Sequence, residues 1–281
     1  MGALGRRFST GLRRKRGGRL GMSMEVTHGN PITGLDQDGR CLARLSARSA
    51  LYTDLQVLLQ ARTELLPVAD YRRAVVDGNV LSRGSVAARE KVFKELKGRY
   101  VLDGGHPLYS AFHHEWRRCG SDQERALTAY VLLALNDKTV SVTSMEWLYP
   151  HLRRAPCEVR IGDLVTHLRQ IGKGRHPEVA KWSPSTLTSV AQHYLASIRD
   201  FGLATGTIKK VAVRPALYGC PVRLLLAALR MLRVSPLQVV RHEAFKLLGI
   251  APEEVIDALS QLNRHGDLRF RMQADVVELA V

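Results

Sequence analysis

Between Leu187 and Phe201 apolar residues recur every three or four positions: Leu187, Val190, Ala191, Tyr194, Leu195, Ile198 and Phe201. That spacing predicts a helix with one buried stripe. Ser183 or Ser185 is placed to cap its start, Pro184 suits the first turn, and Gly202 closes it. The opposite face, Ser185, Ser189, Gln192, Ala196 and Arg199, is small and hydrogen-bonding, with one cation and no carboxylate. Thr207–Arg214 then alternates in part, with Ile208, Val211 and Val213 set among Lys209, Lys210 and Arg214, as a half-buried ribbon would. The pattern fits an amphipathic helix and hairpin in any α+β domain. The neutral polar face and basic ribbon favour a winged helix-turn-helix that binds nucleic acid. Its candidate contacts are Lys181, Ser183, Ser185, Thr186, Ser189, Gln192 and Arg199 on and before the helix, and Lys209, Lys210 and Arg214 on the ribbon.

The same reading along the rest of the chain predicts a mainly α protein with short β-ribbons. Leu45–Leu66 has a helical period that stops before Pro67, and Val68–Asp77 reads as a short helix ending at Gly78-Asn79. Ser85 caps a helix whose buried face is Val86, Val92, Phe93, Leu96 and Tyr100. Arg89 falls near that face and is expected to snorkel or to pair with an acid on a neighbouring helix. Lys91, Lys94, Lys97 and Arg99 are expected in solvent. Pro107–Arg118, Asp122–Asn136 and Thr143–Arg153 are further helices, the second central to the core and the third broken at Pro150 or Pro156. Ile161–Ile171 is another, followed by a basic loop. Cys220–Leu232, Pro236–Leu248 and Pro252–His265 precede a terminal ribbon, Leu268–Met272 with Asp275–Val281, repeating the winged plan. Arg269 and Arg271 alternate on that ribbon as phosphate contacts would. Glu254 and Asp257 on the preceding helix suit partner binding better than groove insertion. The expected organisation is a basic disordered tail (1–42), an all-helical domain (43–155), a winged-helix-like DNA-binding unit (156–216) and a second winged-helix-like unit (217–281).

Charge strengthens this picture. Forty-two Lys and Arg oppose 26 Asp and Glu, for a net charge of +16. Seven of those cations sit in the first twenty residues, so the rest of the chain keeps an excess of nine. Such an excess favours a polyanionic partner. The tail can serve as a transit-like segment, a polyanion-binding arm or translation from an upstream start, and is expected to matter little to the fold. The four cysteines, Cys41, Cys119, Cys157 and Cys220, form no CxxC pair, so neither a zinc ribbon nor a disulfide framework is expected, and a reducing cytoplasm fits. No apolar run reaches the eighteen or so residues of a membrane span. No nucleophile elbow, HExxH, phosphate loop or dinucleotide fingerprint occurs, and His113-His114-Glu115 cannot chelate jointly from one helix. No enzyme, metal or cofactor is expected.

Two stretches, NVLSRGSVAAREKVFKELKGRYVL (79–102) and WSPSTLTSVAQHYLASIRDFGLA (182–204), resemble the BrxA family of bacteriophage-exclusion (BREX) defence systems. The resemblance runs over roughly residues 43–215 and rests on Asn79, Leu81, Ser85, Arg99 and Tyr100, then Ser183, Thr186, Gly202 and Leu203. It implies a non-enzymatic cytoplasmic accessory protein, a helical domain similar to NusB, winged-helix elements and double-stranded DNA as partner, with other BREX proteins as further partners. An RNA-binding antitermination-like factor and a protein–protein scaffold stay open as alternatives.

Overall fold

Serine and aspartate side chains begin three helices of the N-terminal half. In the computed structural model, which describes residues 32–280, Ser85 Oγ accepts from Ala88 N, Ser121 Oγ from Glu124 N and Asp137 Oδ1 from Val140 N, at 3.1–3.2 Å. Each bond satisfies an amide that the first helical turn leaves without a partner. The helices are α1 (Tyr52–Ala61), α2 (Val68–Arg72, continued by a wider π-turn at Arg73–Asp77), α3 (Val86–Tyr100), α4 (Pro107–Arg118), α5 (Asp122–Asn136), α6 (Lys138–Thr143) and α7 (Tyr149–Arg153). The centre is α5, buried without interruption from Ala126 to Leu135.

Several expectations shift. The helix expected from Leu45 begins at Tyr52, because Leu51 takes a left-handed backbone. Helix runs from Lys138 to Arg153 through Pro150 without a break. A π-turn at Ser144–Leu148 lies just before the proline, and Tyr149 N bonds back to Ser144 O. Such widened turns absorb a local mismatch in the hydrogen-bond ladder. On α3, Val86 is exposed and Arg99 is buried, the reverse of what was expected. Arg99 Nη2 donates to the carbonyls of Arg44 and Arg48 at 3.2 Å, while Arg89 Nη1 donates to Val76 O at 2.8 Å rather than to an acid.

The tail expectation also needs correcting where the structure describes it. Ile32 and Cys41 are buried. Gly34 N donates to Leu135 O at 2.8 Å, Thr33 Oγ1 to Asn136 O at 2.7 Å and Lys138 Nζ to Asp36 O at 2.6 Å. A Cβ on Gly34 would collide with the Ala134 carbonyl. Residues 32–42 therefore strap across the end of α5. The arginine-rich residues 1–31 lie outside the described part.

The middle of the chain builds a sheet-backed unit. Strand β1 (Cys157–Val159), helix α8 (Ile161–Lys173), helix α9 (Pro184–Asp200), and strands β2 (Ala204–Thr205) and β3 (Lys210–Ala212) follow in order. The strands close a three-stranded antiparallel sheet in the order β1-β3-β2.

Last come α10 (Gly219–Met231), α11 (Pro236–Val239), α12 (Val255–Arg264) and the ribbon β4 (Arg269–Gln273) with β5 (Val276–Ala280). Helix α10 packs across both α4 and α5. The helix expected over Pro236–Leu248 is instead a single α-turn followed by a 3-10 segment at Glu243–Leu248. The interruption falls at His242, whose extended backbone lets Nδ1 accept from Ala244 N at 3.1 Å. Helices dominate throughout, and the β-structure among the described residues is confined to these small antiparallel sheets. No helix of the described residues is long and apolar enough to cross a membrane.

Candidate nucleic-acid interface

Helix α9 has two halves. Its N-terminal half is open. Lys181, Ser183, Ser185 and Gln192 are exposed, with Thr186 and Ser189 half-buried. Ser183 Oγ accepts from Thr186 N at 3.1 Å and lies 2.9 Å from both Ser185 Oγ and Thr186 Oγ1, so one serine caps the helix and orders its neighbours' hydroxyls. Thr188 belongs to this face as well, exposed three residues after Ser185 and four before Gln192, and that spacing alone marks it. The stripe Leu187, Val190, Ala191, Tyr194, Leu195, Ile198 and Phe201 is buried throughout, as its period predicted.

The C-terminal half of α9 is covered by residues 44–50. His193 Nδ1 donates to Leu45 O at 2.7 Å, which fixes the ring's tautomer. Ser197 Oγ accepts from Ala50 N at 2.8 Å and donates to His193 O at 2.6 Å. Tyr194 and Ser144 share a hydroxyl–hydroxyl bond of 2.8 Å. Arg199, at this covered end, bonds its neighbour Asp200 at 2.7 Å. The open hydroxyl face therefore ends near Gln192 and does not continue to Arg199.

The hairpin β2–β3 follows α9 directly. Because Ala204 pairs with Ala212 and Thr205 with Val211, residues 206–209 form its tip. Ile208 sits there at 96% exposure, not in the buried row where the alternation placed it; the inward residue is Ala212. Lys209 is exposed beside it. Lys210 Nζ folds back onto Thr207 O at 3.0 Å. Arg214 has left the hairpin: its Nη2 donates to Glu254 Oε2 at 2.7 Å. Arg153 Nη1 reaches both oxygens of the same carboxylate at 2.6 and 2.7 Å, and these bonds hold Glu254 below the usual carboxylate range. Glu254 is thus a joint between the middle and terminal units rather than a free acid on an outer face.

Arg269 and Arg271 are exposed on one face of β4, with Phe270 buried between them. Arg271 stands opposite Glu278 on β5, so this ribbon sets a cation directly across from an acid. It packs on α12 and α11, apart from the sheet behind α9.

Folding also gathers side chains that sequence spacing kept apart. Cys119, Glu124 and Cys220 place their donor atoms within 4.8 Å of one another, as do Cys41, His176 and Glu178. Sulfur, imidazole and carboxylate are zinc-type ligands, but both groups are already engaged. Glu124 accepts from Cys220 N at 3.0 Å and from Gly120 N at 2.8 Å, while Arg223 Nη2 donates to Cys220 Sγ at 3.0 Å. Glu178 Oε1 accepts from Cys41 N at 2.6 Å, and burial pushes the Cys41 thiol up to about 12, far from the thiolate a metal needs.

Comparison with known proteins places the chain. No curated protein sequence matches it. The BrxA family model matches residues 42–228, from the end of the N-terminal strap into α10, and so takes in α9, the hairpin and the whole helical body. By that match over most of its length, the chain belongs to the BrxA family, a component of bacteriophage-exclusion defence.

Proposed function

We propose that the chain is a non-enzymatic, cytoplasmic, double-stranded-DNA-binding accessory protein of a BREX-type system, and that residues 156–216 are its winged helix. One observation carries the reading. The order strand–helix–helix–strand–strand, closed as β1-β3-β2, sets a helix with an open hydroxyl and amide face beside a hairpin tipped by an exposed cation. In winged helix-turn-helix proteins the N-terminal residues of the recognition helix meet base edges. Here that part of α9 is the part left open. Ser183, Ser185, Thr188 and Gln192 can bond phosphates or base edges at close range. Lys181 and Lys209 supply charge at the helix start and the wing. The helical body, which the resemblance likens to NusB, holds α9 in place through Leu45 and Ala50.

The test is a binding comparison of random-sequence duplex DNA, duplex RNA and single strands across a salt series. Duplex DNA is expected to bind tightest. Lys209→Ala is expected to weaken all duplexes alike and to lower the slope of log K against log salt by about 0.9 for each phosphate no longer neutralised. Tighter binding of RNA would favour the antitermination-like alternative. Unchanged affinity and slope for the Lys209→Ala, Lys210→Ala double variant would leave the scaffold reading as the better account.

A further inference from the structure

We propose that Ile208 is a wedge that enters the minor groove between two base pairs, unstacks them and kinks the duplex. The inference rests on the winged-helix reading of residues 156–216 and assigns the wing a task beyond touching phosphate. Ile208 is 96% exposed, the highest value among the exposed large apolar residues of the described part. Single exposed apolar side chains are common on proteins, so position decides. Hairpin tips usually carry Gly, Asn, Asp or Ser. A β-branched hydrocarbon at this tip gains nothing from the fold.

The tip is also built to hold its shape. Gly206 has φ +83°, and a Cβ there would collide with the Lys209 carbonyl, so only glycine allows so close a turn. Lys210 Nζ ties to Thr207 O across the same turn. Two paired positions on β2 and three on β1 fix β3 from both sides. The result is a short, stiff projection with a branched apolar end and the Lys209 ammonium next to it. That combination, cation beside Ile on a narrow β-element, suits the minor groove, where apolar wedges pry apart base steps and cations meet the groove's negative potential. Unstacking costs least at pyrimidine–purine steps, so a wedge would make the protein prefer TA and CA/TG steps over stiff A-tracts without reading any base edge.

The experiment uses the full chain and two kinds of duplex probe. One carries donor and acceptor dyes at its ends to report bending. The other carries 2-aminopurine at a central TA step to report unstacking. Wild type is expected to bend the first by roughly 20–90° and to brighten the second. It should also prefer the TA-step duplex to an A-tract of equal length by about tenfold. Ile208→Ala is expected to keep its melting temperature and salt slope while losing the bend, the brightening and the preference; Ile208→Leu should retain them. If wild type binds a duplex that stays straight and stacked, or if Ile208→Ala bends it equally, the wedge is wrong and the DNA reading survives. If wild type binds no duplex, both fall together.

Discussion

Arg223 Nε donates to Glu115 Oε2 at 2.7 Å, with both residues buried between α10 and α4. The guanidinium also reaches Asp267 Oδ1 at 2.8 Å, so one arginine ties the terminal unit to the helical body. A buried ion pair need not stabilise more than a hydrocarbon pair of the same shape, but removing one partner strands the other charge. Glu115→Gln is therefore expected to cost ~3–5 kcal/mol in urea unfolding. Arg118→Ala, whose side chain lies 3.8 Å from the same carboxylate but is half exposed, should cost under about 0.5 kcal/mol. A double change, Glu115→Leu with Arg223→Met, should recover much of the loss. Equal costs for Glu115→Gln and Arg118→Ala would show that burial of the pair is not what matters.

Arg99 and Arg89 lie on the same helix and make different predictions. Arg99 is buried and donates to two carbonyls of the segment that leads into α1. Burial lowers its pKa without a full compensating charge, Glu95 being the nearest acid at 3.5 Å. Arg99→Ala should lower stability by ~2–3 kcal/mol, since it leaves two carbonyls without their donor. Arg89→Ala, which removes one hydrogen bond to a carbonyl, should cost about 1 kcal/mol, and Lys94→Ala almost nothing. Thermal melts of the three variants check the order, and an Arg89→Ala effect larger than that of Arg99→Ala would reverse it.

What was legible in the sequence follows from which forces are local. Pro107–Arg118 and Asp122–Asn136 match α4 and α5 to the residue, because a proline, a serine cap and a continuous apolar run are all written nearby. The stripe of α9 was legible for the same reason. Arg89 is part-buried near the apolar face as its position suggested, but Arg99 was misplaced because its burial depends on where residues 44–48 cross α3, and no period in α3 records that. Ile208 was misplaced because strands of two and three residues leave too little alternation to fix a register. The half-covered face of α9, the Glu254 joint and the cysteine groups all depend on contacts between residues more than forty apart in most pairs. Charge and residue type named the candidates; only packing showed which were already occupied.

His242 gives a pH test. Its Nδ1 accepts a backbone amide at 3.1 Å, so the ring must be neutral with its proton on Nε2. Burial lowers its pKa, with Glu243 opposing. The unfolded chain takes up a proton near the ordinary value of about 6.5, while the folded chain resists it. Stability from this group is thus complete above about 6.5 and is lost as pH falls from there toward the lower folded value. His242→Asn keeps an acceptor for Ala244 N but cannot be protonated. Compared with wild type, it should melt at a similar temperature at pH 8 and lose less between pH 7 and pH 5. A parallel decline of the two proteins would show that the cap does not titrate.

Arg214 and Lys209 separate a structural cation from a binding one. Both belong to the stretch that sequence assigns to the ribbon. The structure places Lys209 exposed at the tip and Arg214 against Glu254, which Arg153 also holds. About half of the Arg214 side chain and a third of Glu254 remain exposed, so solvent screens the pair and its worth is at most about 1 kcal/mol. Arg214→Ala is expected to lower the melting temperature slightly and to leave the salt dependence of duplex binding unchanged. Lys209→Ala is expected to do the opposite: no change in melting, and a slope smaller by about 0.9 if one phosphate is no longer neutralised. Glu254→Gln should cost somewhat more than Arg214→Ala, because it weakens the pairing with both Arg153 and Arg214. If it also steepens the salt slope, the freed Arg214 has reached a phosphate of its own, and the Glu254 joint restrains the cation from DNA in the parent protein. Should Arg214→Ala flatten the slope as much as Lys209→Ala does, the arginine must leave Glu254 when DNA binds, and the assignment of Arg214 as a purely structural cation fails.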